Sequence, residues 1–176
     1  KLMKSKKNIV FLGMMGSGKS SIGSLISQKL GLDFFDIDQQ IEKELKMKIS
    51  EIFNIKGEKY FRMIEEKVSL DILKKKNIVI ALGGGTFLNK NVRKIILRDH
   101  LSFWLRLSAE KLINRIKYNP KRPIAFNSTK EDLLKLVKNR SKIYSKALYK
   151  MNCDNLSKKE IVNKILNIYE RNKTNN

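Results

Sequence analysis

A chain of 176 residues, 41% hydrophobic and 31% charged, has the length and balance of one globular domain with a sizeable core, which excludes a disordered or fibrous protein. Its net charge of +21 sits mostly on lysines spread from Lys4 to Lys173, without the stripe that marks a nucleic-acid surface, so no specific nucleic-acid partner is expected. The single Cys153 excludes an internal disulfide and no apolar run reaches membrane-spanning length, so the chain is expected in the cytoplasm with no membrane partner.

Lys1 and Leu2, ahead of Met3, read as a cloning remnant. Ile9-Val10-Phe11-Leu12 is short, apolar and β-branched, which predicts a buried strand over 8–12. Gly13-Met14-Met15-Gly16-Ser17-Gly18-Lys19-Ser20 follows and fits the phosphate-loop pattern Gly-x-x-x-x-Gly-Lys-Ser/Thr. Behind it Ile22, Leu25, Ile26 and Leu30 recur at helical spacing, and Gly31 stands where a C-cap glycine belongs. Strand, glycine loop and helix together present backbone N–H groups and a positive helix end to a polyphosphate. Lys19 then reaches the β- and γ-phosphates, and the Ser20 hydroxyl ligates Mg²⁺. The chain binds a nucleoside triphosphate on this reading.

A second strand over 33–36 leads into Asp36-Ile37-Asp38. In an extended chain residues two apart face the same way, so both carboxylates can point into one site; the alternative is a pair of turn or N-cap aspartates before the next helix, which the nearby phosphate loop disfavours. One would hold Mg²⁺ through water, and the other would bind a substrate hydroxyl or accept its proton. A helix is expected over 39–46, then a short one capped by Ser50 and running to Phe53. Gly57 breaks the chain before a helix with Phe61, Ile64, Val68 and Ile72 on one face.

A third strand over 78–82 ends in Gly83-Gly84-Gly85, whose bare backbone lets a ligand approach closely. His100 reads as a turn residue, and Trp104 as core within a fourth strand over 101–107. Residues 117–130 are polar and aperiodic and hold both prolines, Pro120 and Pro123. That predicts a mobile lid, on which Arg122 would stabilise a transferring phosphoryl group. The helical run of Leu133, Leu134, Leu136 and Val137 leads to Arg140, a fifth short strand is expected over 149–153, and the tail over 172–176 is expected to fray. Arg62 and Arg140 stand out among so many lysines because a guanidinium forks onto a carboxylate or phosphate. Spacing alone does not bring them together, and a surface role for each stays open. Strands alternating with helices predict a parallel sheet whose strand carboxyl ends share one ligand-binding edge.

In order and spacing, the phosphate loop, Asp36-x-Asp38, Gly57-Glu58-x-x-Phe61-Arg62-x-x-Glu65, the glycine triplet, Arg122-Pro123 and Arg140-x-x-x-Tyr144 resemble shikimate kinase. The resemblance runs from Met3 to about Arg171. It implies a three-layer α/β P-loop fold with a five-stranded parallel sheet, in one domain with a substrate-binding region at about 33–62 and a lid at 117–130. It also implies transfer of the ATP γ-phosphate to the 3-hydroxyl of shikimate, a step toward chorismate and the aromatic amino acids, with one Mg²⁺ accompanying ATP. ATP and shikimate would be the partners. Gly16, Ser17, Gly18, Lys19, Ser20 and Ser21 would cradle the phosphates, with Ser20 and, through water, Asp36 on the metal. Asp38 would hold the shikimate hydroxyls beside Gly84, and would share catalysis with Lys19 and Arg122. Arg62 and Arg140 would grip the carboxylate, with Glu65 behind them. Arg122 would reach the phosphates, and Arg115 would lie against the adenine. Within the late adenine-contacting stretch over 151–155, Asn152 is the positional match. Where the family carries two leucines after the lid arginine-proline, this chain has Ile124-Ala125. A gluconate kinase would share the phosphate loop without the other motifs, and a basic nucleic-acid-binding P-loop module would share only the loop and the charge.

Overall fold

The computed structural model describes residues 8–117 and 128–174. Arg122, Pro123 and most of the expected lid lie outside the described residues. Five strands form one sheet: β1 (Ile9–Leu12), β2 (Asp33–Asp36), β3 (Ile78–Ala81), β4 (Leu101–Arg106) and β5 (Tyr149–Asn152). Every pairing is parallel, and the order is β2-β3-β1-β4-β5. Ile9 stands opposite Val79 on one side and Leu101 on the other.

All four residues of β1 and of β3 are buried, which requires cover on both faces of the sheet and accounts for apolar runs without alternation. The cover comes from α1 (Lys19–Leu30), α4 (Glu58–Leu73), α5 (Lys90–Asp99) and α8 (Lys158–Thr174), where α1 packs with α8 and α4 with α5. Their inward residues include Ile22, Ile26, Ile72, Val92, Ile96, Val162 and Ile165, all buried. The remaining helices are α2 (Ile37–Leu45), α3 (Ile49–Lys56), α6 (Ala109–Lys117) and α7 (Lys130–Tyr144), with a 3₁₀ turn at Thr86–Leu88. Among the described residues no helix is long and apolar enough to cross a membrane.

Two helix ends follow directly from sequence. Gly31 takes the left-handed conformation (φ 64°) beyond α1, and the Leu32 N–H returns to the Ser27 carbonyl at 2.9 Å. Thr129 and Asp132 form a reciprocal capping box that starts α7.

Three expectations need correction. Ser50 is not a cap, because α3 already begins at Ile49 and the Lys48 N–H is satisfied by Glu51 Oε2 at 2.8 Å. Asp38 is not in an extended segment: the strand ends at Asp36, which caps α2, and Asp38 lies in the first turn of that helix. The last helix does not fray from residue 172, since the Asn172 amide donates to the Tyr149 hydroxyl at 3.0 Å and helix continues to Thr174.

Candidate active site

The carboxyl ends of β1, β2 and β3 deliver the phosphate loop, the two aspartates and the glycine triplet to one edge of the sheet. Gly13, Gly16 and Gly18 all have positive φ (144°, 81° and 96°), which explains glycine at these places. Gly13 also needs its small size, because a Cβ there would stand 2.8 Å from the Leu105 carbonyl oxygen. Lys19 is only 8% exposed, and its Nζ donates to the Gly13 and Met14 carbonyls, each at 2.8 Å. That folds the ammonium over the loop. The buried Ser17 hydroxyl has no hydrogen-bond partner among the described residues. Arg115 Nη1 reaches the Gly16 carbonyl at 3.0 Å and ties α6 to the same loop.

The two residues expected to hold Mg²⁺ touch each other: Ser20 Oγ donates to Asp36 Oδ2. Asp36 Oδ1 meanwhile accepts the Gln39 N–H at 3.1 Å, so the carboxylate is fixed as the N-cap of α2. A hydroxyl and one carboxylate suit Mg²⁺, which takes few protein ligands and shares itself with substrate phosphates and water. Among the described residues, no group of three or more His, Cys, Asp or Glu side chains could hold a metal.

Asp38 faces the same edge. Burial, and after it Asp36 and Glu65, push its carboxyl up from 3.8 to about 6, against the pull of Lys19 and Arg62. A carboxylate so poised can accept hydrogen bonds from hydroxyls and take a proton near neutral pH. The shift also bears on stability. Because the folded-state value lies above the ordinary one, folding takes up a proton between 3.8 and about 6, and stability falls as pH rises through that window. Asp38→Asn in EDTA is therefore expected to stabilise the protein by roughly 1–3 kcal/mol at about pH 7.5, with the gain gone below about pH 4. Urea denaturation at the two pH values measures it, and equal midpoints for both proteins at the higher pH would contradict the buried carboxylate.

The glycine triplet makes room for side chains of the site. None of its three residues has positive φ, so space is the requirement rather than conformation. A Cβ on Gly83 would stand 2.7 Å from Asp38 Oδ1, one on Gly84 would stand 3.0 Å from Arg140 Nη1, and one on Gly85 would stand 2.7 Å from Arg62 Cζ. Each glycine thus seats one charged side chain of the site. This brings Arg62 of α4 and Arg140 of α7 to consecutive residues of one turn, which their separation in sequence did not reveal.

The two arginines are held differently. Arg62 Nη1 donates to Glu65 Oε1 at 2.9 Å, and Glu65, 3% exposed, is satisfied on its other oxygen by Thr86 Oγ1 at 3.0 Å. Arg140 is 6% exposed, and its Nε and Nη1 have no hydrogen-bond partner among the described residues. A buried guanidinium with unmet donors is costly unless an anion arrives to meet them. Thr86 is a site residue that sequence reasoning missed, and Tyr144 was singled out only as part of a motif, with no role. Tyr144 lies one helical turn beyond Arg140, and its hydroxyl donates to the Gly84 carbonyl.

Other candidates lie apart from this cluster. Asn152 ends β5, where its Oδ1 lies 3.4 Å from Arg106 Nη1. His100 is buried as the C-cap of α5, its N–H bonded to Ile96, on the opposite edge of the sheet. Cys153 is buried, and burial raises its thiol to about 11, so it packs and does not react.

Residues 15–170 match the family model described as shikimate kinase. The shikimate kinase of Thermodesulfovibrio yellowstonii is 42% identical over 166 residues, covering 94% of this chain and 96% of that protein. Among solved structures, shikimate kinase from Acinetobacter baumannii in complex with shikimate aligns with a TM-score of 0.90 at 28% identity, covering 97% of each chain. Shikimate kinase from Aquifex aeolicus aligns at 0.83 and 34% identity, over 94% of this chain and 98% of its own. The match runs from the phosphate loop through both arginine-bearing helices, and the chain belongs to the shikimate kinase family.

Proposed function

We propose that this chain transfers the γ-phosphate of ATP to the 3-hydroxyl of shikimate, with Mg²⁺, giving shikimate 3-phosphate and ADP. The observation that carries the choice of acceptor is the buried Arg140 guanidinium, with two donor nitrogens unmet among the described residues, beside Gly84 and with Arg62 seated on the next residue. Such a pair suits a small carboxylate.

Arg62 and Arg140 bind the shikimate carboxylate and so fix the ring. Asp38 accepts hydrogen bonds from its hydroxyls. As the 3-oxygen bonds to the γ-phosphorus and the bond to the β,γ-bridging oxygen breaks, Asp38 receives the hydroxyl proton and ADP leaves with the electron pair. Gly16, Ser17, Gly18, Ser20 and Ser21 hold the phosphates by backbone and side-chain donors, and Lys19 neutralises the charge that builds on the transferring group. Ser20 and, through water, Asp36 would hold Mg²⁺, which when bound screens the phosphate charge.

Arg122 is proposed to reach the phosphates from the lid over 117–130, and Arg115 and Asn152 to contact the nucleotide beyond them. A monomer acting in the cytoplasm on two small soluble anions is part of the proposal. ADP release measured with shikimate, quinate, gluconate and deoxyadenosine as acceptors tests the assignment. Turnover is expected with shikimate alone, and faster turnover with any of the others would overturn it.

A further inference from the structure

Arg62 is fixed by an ion pair with Glu65, but among the described residues no carboxylate is bonded to the Nε or Nη1 of Arg140. Something else must hold a long, buried side chain in a single place, since an unheld one loses rotamer freedom only when ligand arrives. Three observations converge on Tyr144. It follows Arg140 by four residues on α7, so the two side chains share a face of the helix. Its hydroxyl donates to the carbonyl of Gly84, the same residue whose missing Cβ makes room for Arg140 Nη1. Its ring is 1% exposed, lies 5.9 Å from the Trp104 ring, and carries the hydroxyl to within 3.8 Å of Met14 Sδ in the phosphate loop. One side chain therefore touches the arginine helix, the glycine turn and the phosphate loop.

We infer that Tyr144 is a positioning residue, whose O–H clamps the Gly84 turn against α7 and thereby aims the Arg140 guanidinium at the substrate carboxylate. Burial raises the phenol to about 12 against the opposing influence of Arg140, which keeps the O–H a donor throughout the working pH range. Removing only the oxygen leaves the ring packed on Trp104 but frees the turn to shift, and with it the floor on which Arg140 rests. The inference rests on the carboxylate reading of the site given above.

The test compares wild type with Tyr144→Phe, using shikimate and its methyl ester as acceptors and ADP release as the readout. If Tyr144 acts through Arg140, the variant raises KM for shikimate about five-fold, the worth of one net hydrogen bond, and leaves KM for ATP within about two-fold. Its effect on the ester, which offers Arg140 no carboxylate, falls below about two-fold. The same penalty is absent in an Arg140→Met background, because a positioning residue cannot act through a side chain that is gone. Equal losses for acid and ester, or additive effects with Arg140→Met, would assign Tyr144 to packing alone and overturn the inference. As a readout that needs no variant, the Cζ resonance of Tyr144 in ring-labelled protein should move when shikimate is added and stay put with the ester; no movement with either overturns it as well. A wild-type protein inactive on shikimate would instead defeat the functional assignment itself.

Discussion

Lys19→Met is expected to lower kcat by about a hundred-fold or more while the protein stays folded. The ammonium is buried over the phosphate loop and held there by two bonds, to the Gly13 and Met14 carbonyls. A preorganised cation of this kind acts on charge that grows as the phosphoryl group moves, and removing one such group from a site closed to water typically costs about 3–4 kcal/mol of transition-state stabilisation. Methionine keeps the length and apolar stem of lysine, so the loss of two carbonyl bonds is offset in part by relief of a buried charge, and the melting temperature should move by only a few degrees. A variant that kept more than about a tenth of wild-type kcat would contradict the role, since that bounds the contribution at about 1.4 kcal/mol.

Arg140→Met should weaken shikimate binding by about thirty-fold and yet leave stability equal to or above that of wild type. The two effects have one cause. Among the described residues the buried guanidinium finds no partner for its Nε and Nη1, and a methionine there removes the unmet donors without emptying the space. With substrate present the same donors become charge-assisted hydrogen bonds, each worth about 1.5–3 kcal/mol. Arg62→Met makes the opposite pattern in stability. It strands Glu65, 3% exposed, without the partly exposed guanidinium that pairs it, and leaving one oxygen of a buried carboxylate unmet costs about 1–3 kcal/mol. Calorimetric titration with shikimate and thermal melts on both variants check the contrast. Two variants with equal stability losses would mean that Arg140 is paired in the free protein after all.

The parts of this site that were legible in sequence are those whose function is local. The phosphate loop announces itself because the strand before it, the positive-φ glycines within it and the helix after it are contiguous, and each is written in a few residues. Asp36 and Asp38 were legible as a pair through an incorrect geometry. They face one site because the first is an N-cap and the second sits in the helix it caps, not because both lie on a strand. The glycine triplet was conspicuous in sequence, but its reason is tertiary: each missing Cβ is occupied by Asp38, Arg140 or Arg62, and nothing in the triplet names those partners. For the same reason Arg62 and Arg140 could be singled out by residue type and by the family resemblance, yet not joined by spacing. Tyr144 carries no local mark beyond its distance from Arg140, because its meaning lies in a carbonyl sixty residues earlier. Ser50 failed through a local rule that a neighbour overrode: Glu51 met the Lys48 N–H first, and the helix began before the serine.

The most direct test of the whole account is the identity of the phosphorylated product. Wild-type protein is incubated with ATP, Mg²⁺ and shikimate, and the mixture is followed by phosphorus NMR with proton correlation. A single phosphomonoester coupled to the proton on carbon 3 of the ring, appearing in step with ADP, is the predicted result. Inorganic phosphate in place of an ester, or an ester on carbon 4 or 5, would contradict it: the first would mean that the site admits water, and the second that the arginine pair does not fix the ring with its 3-hydroxyl toward Asp38.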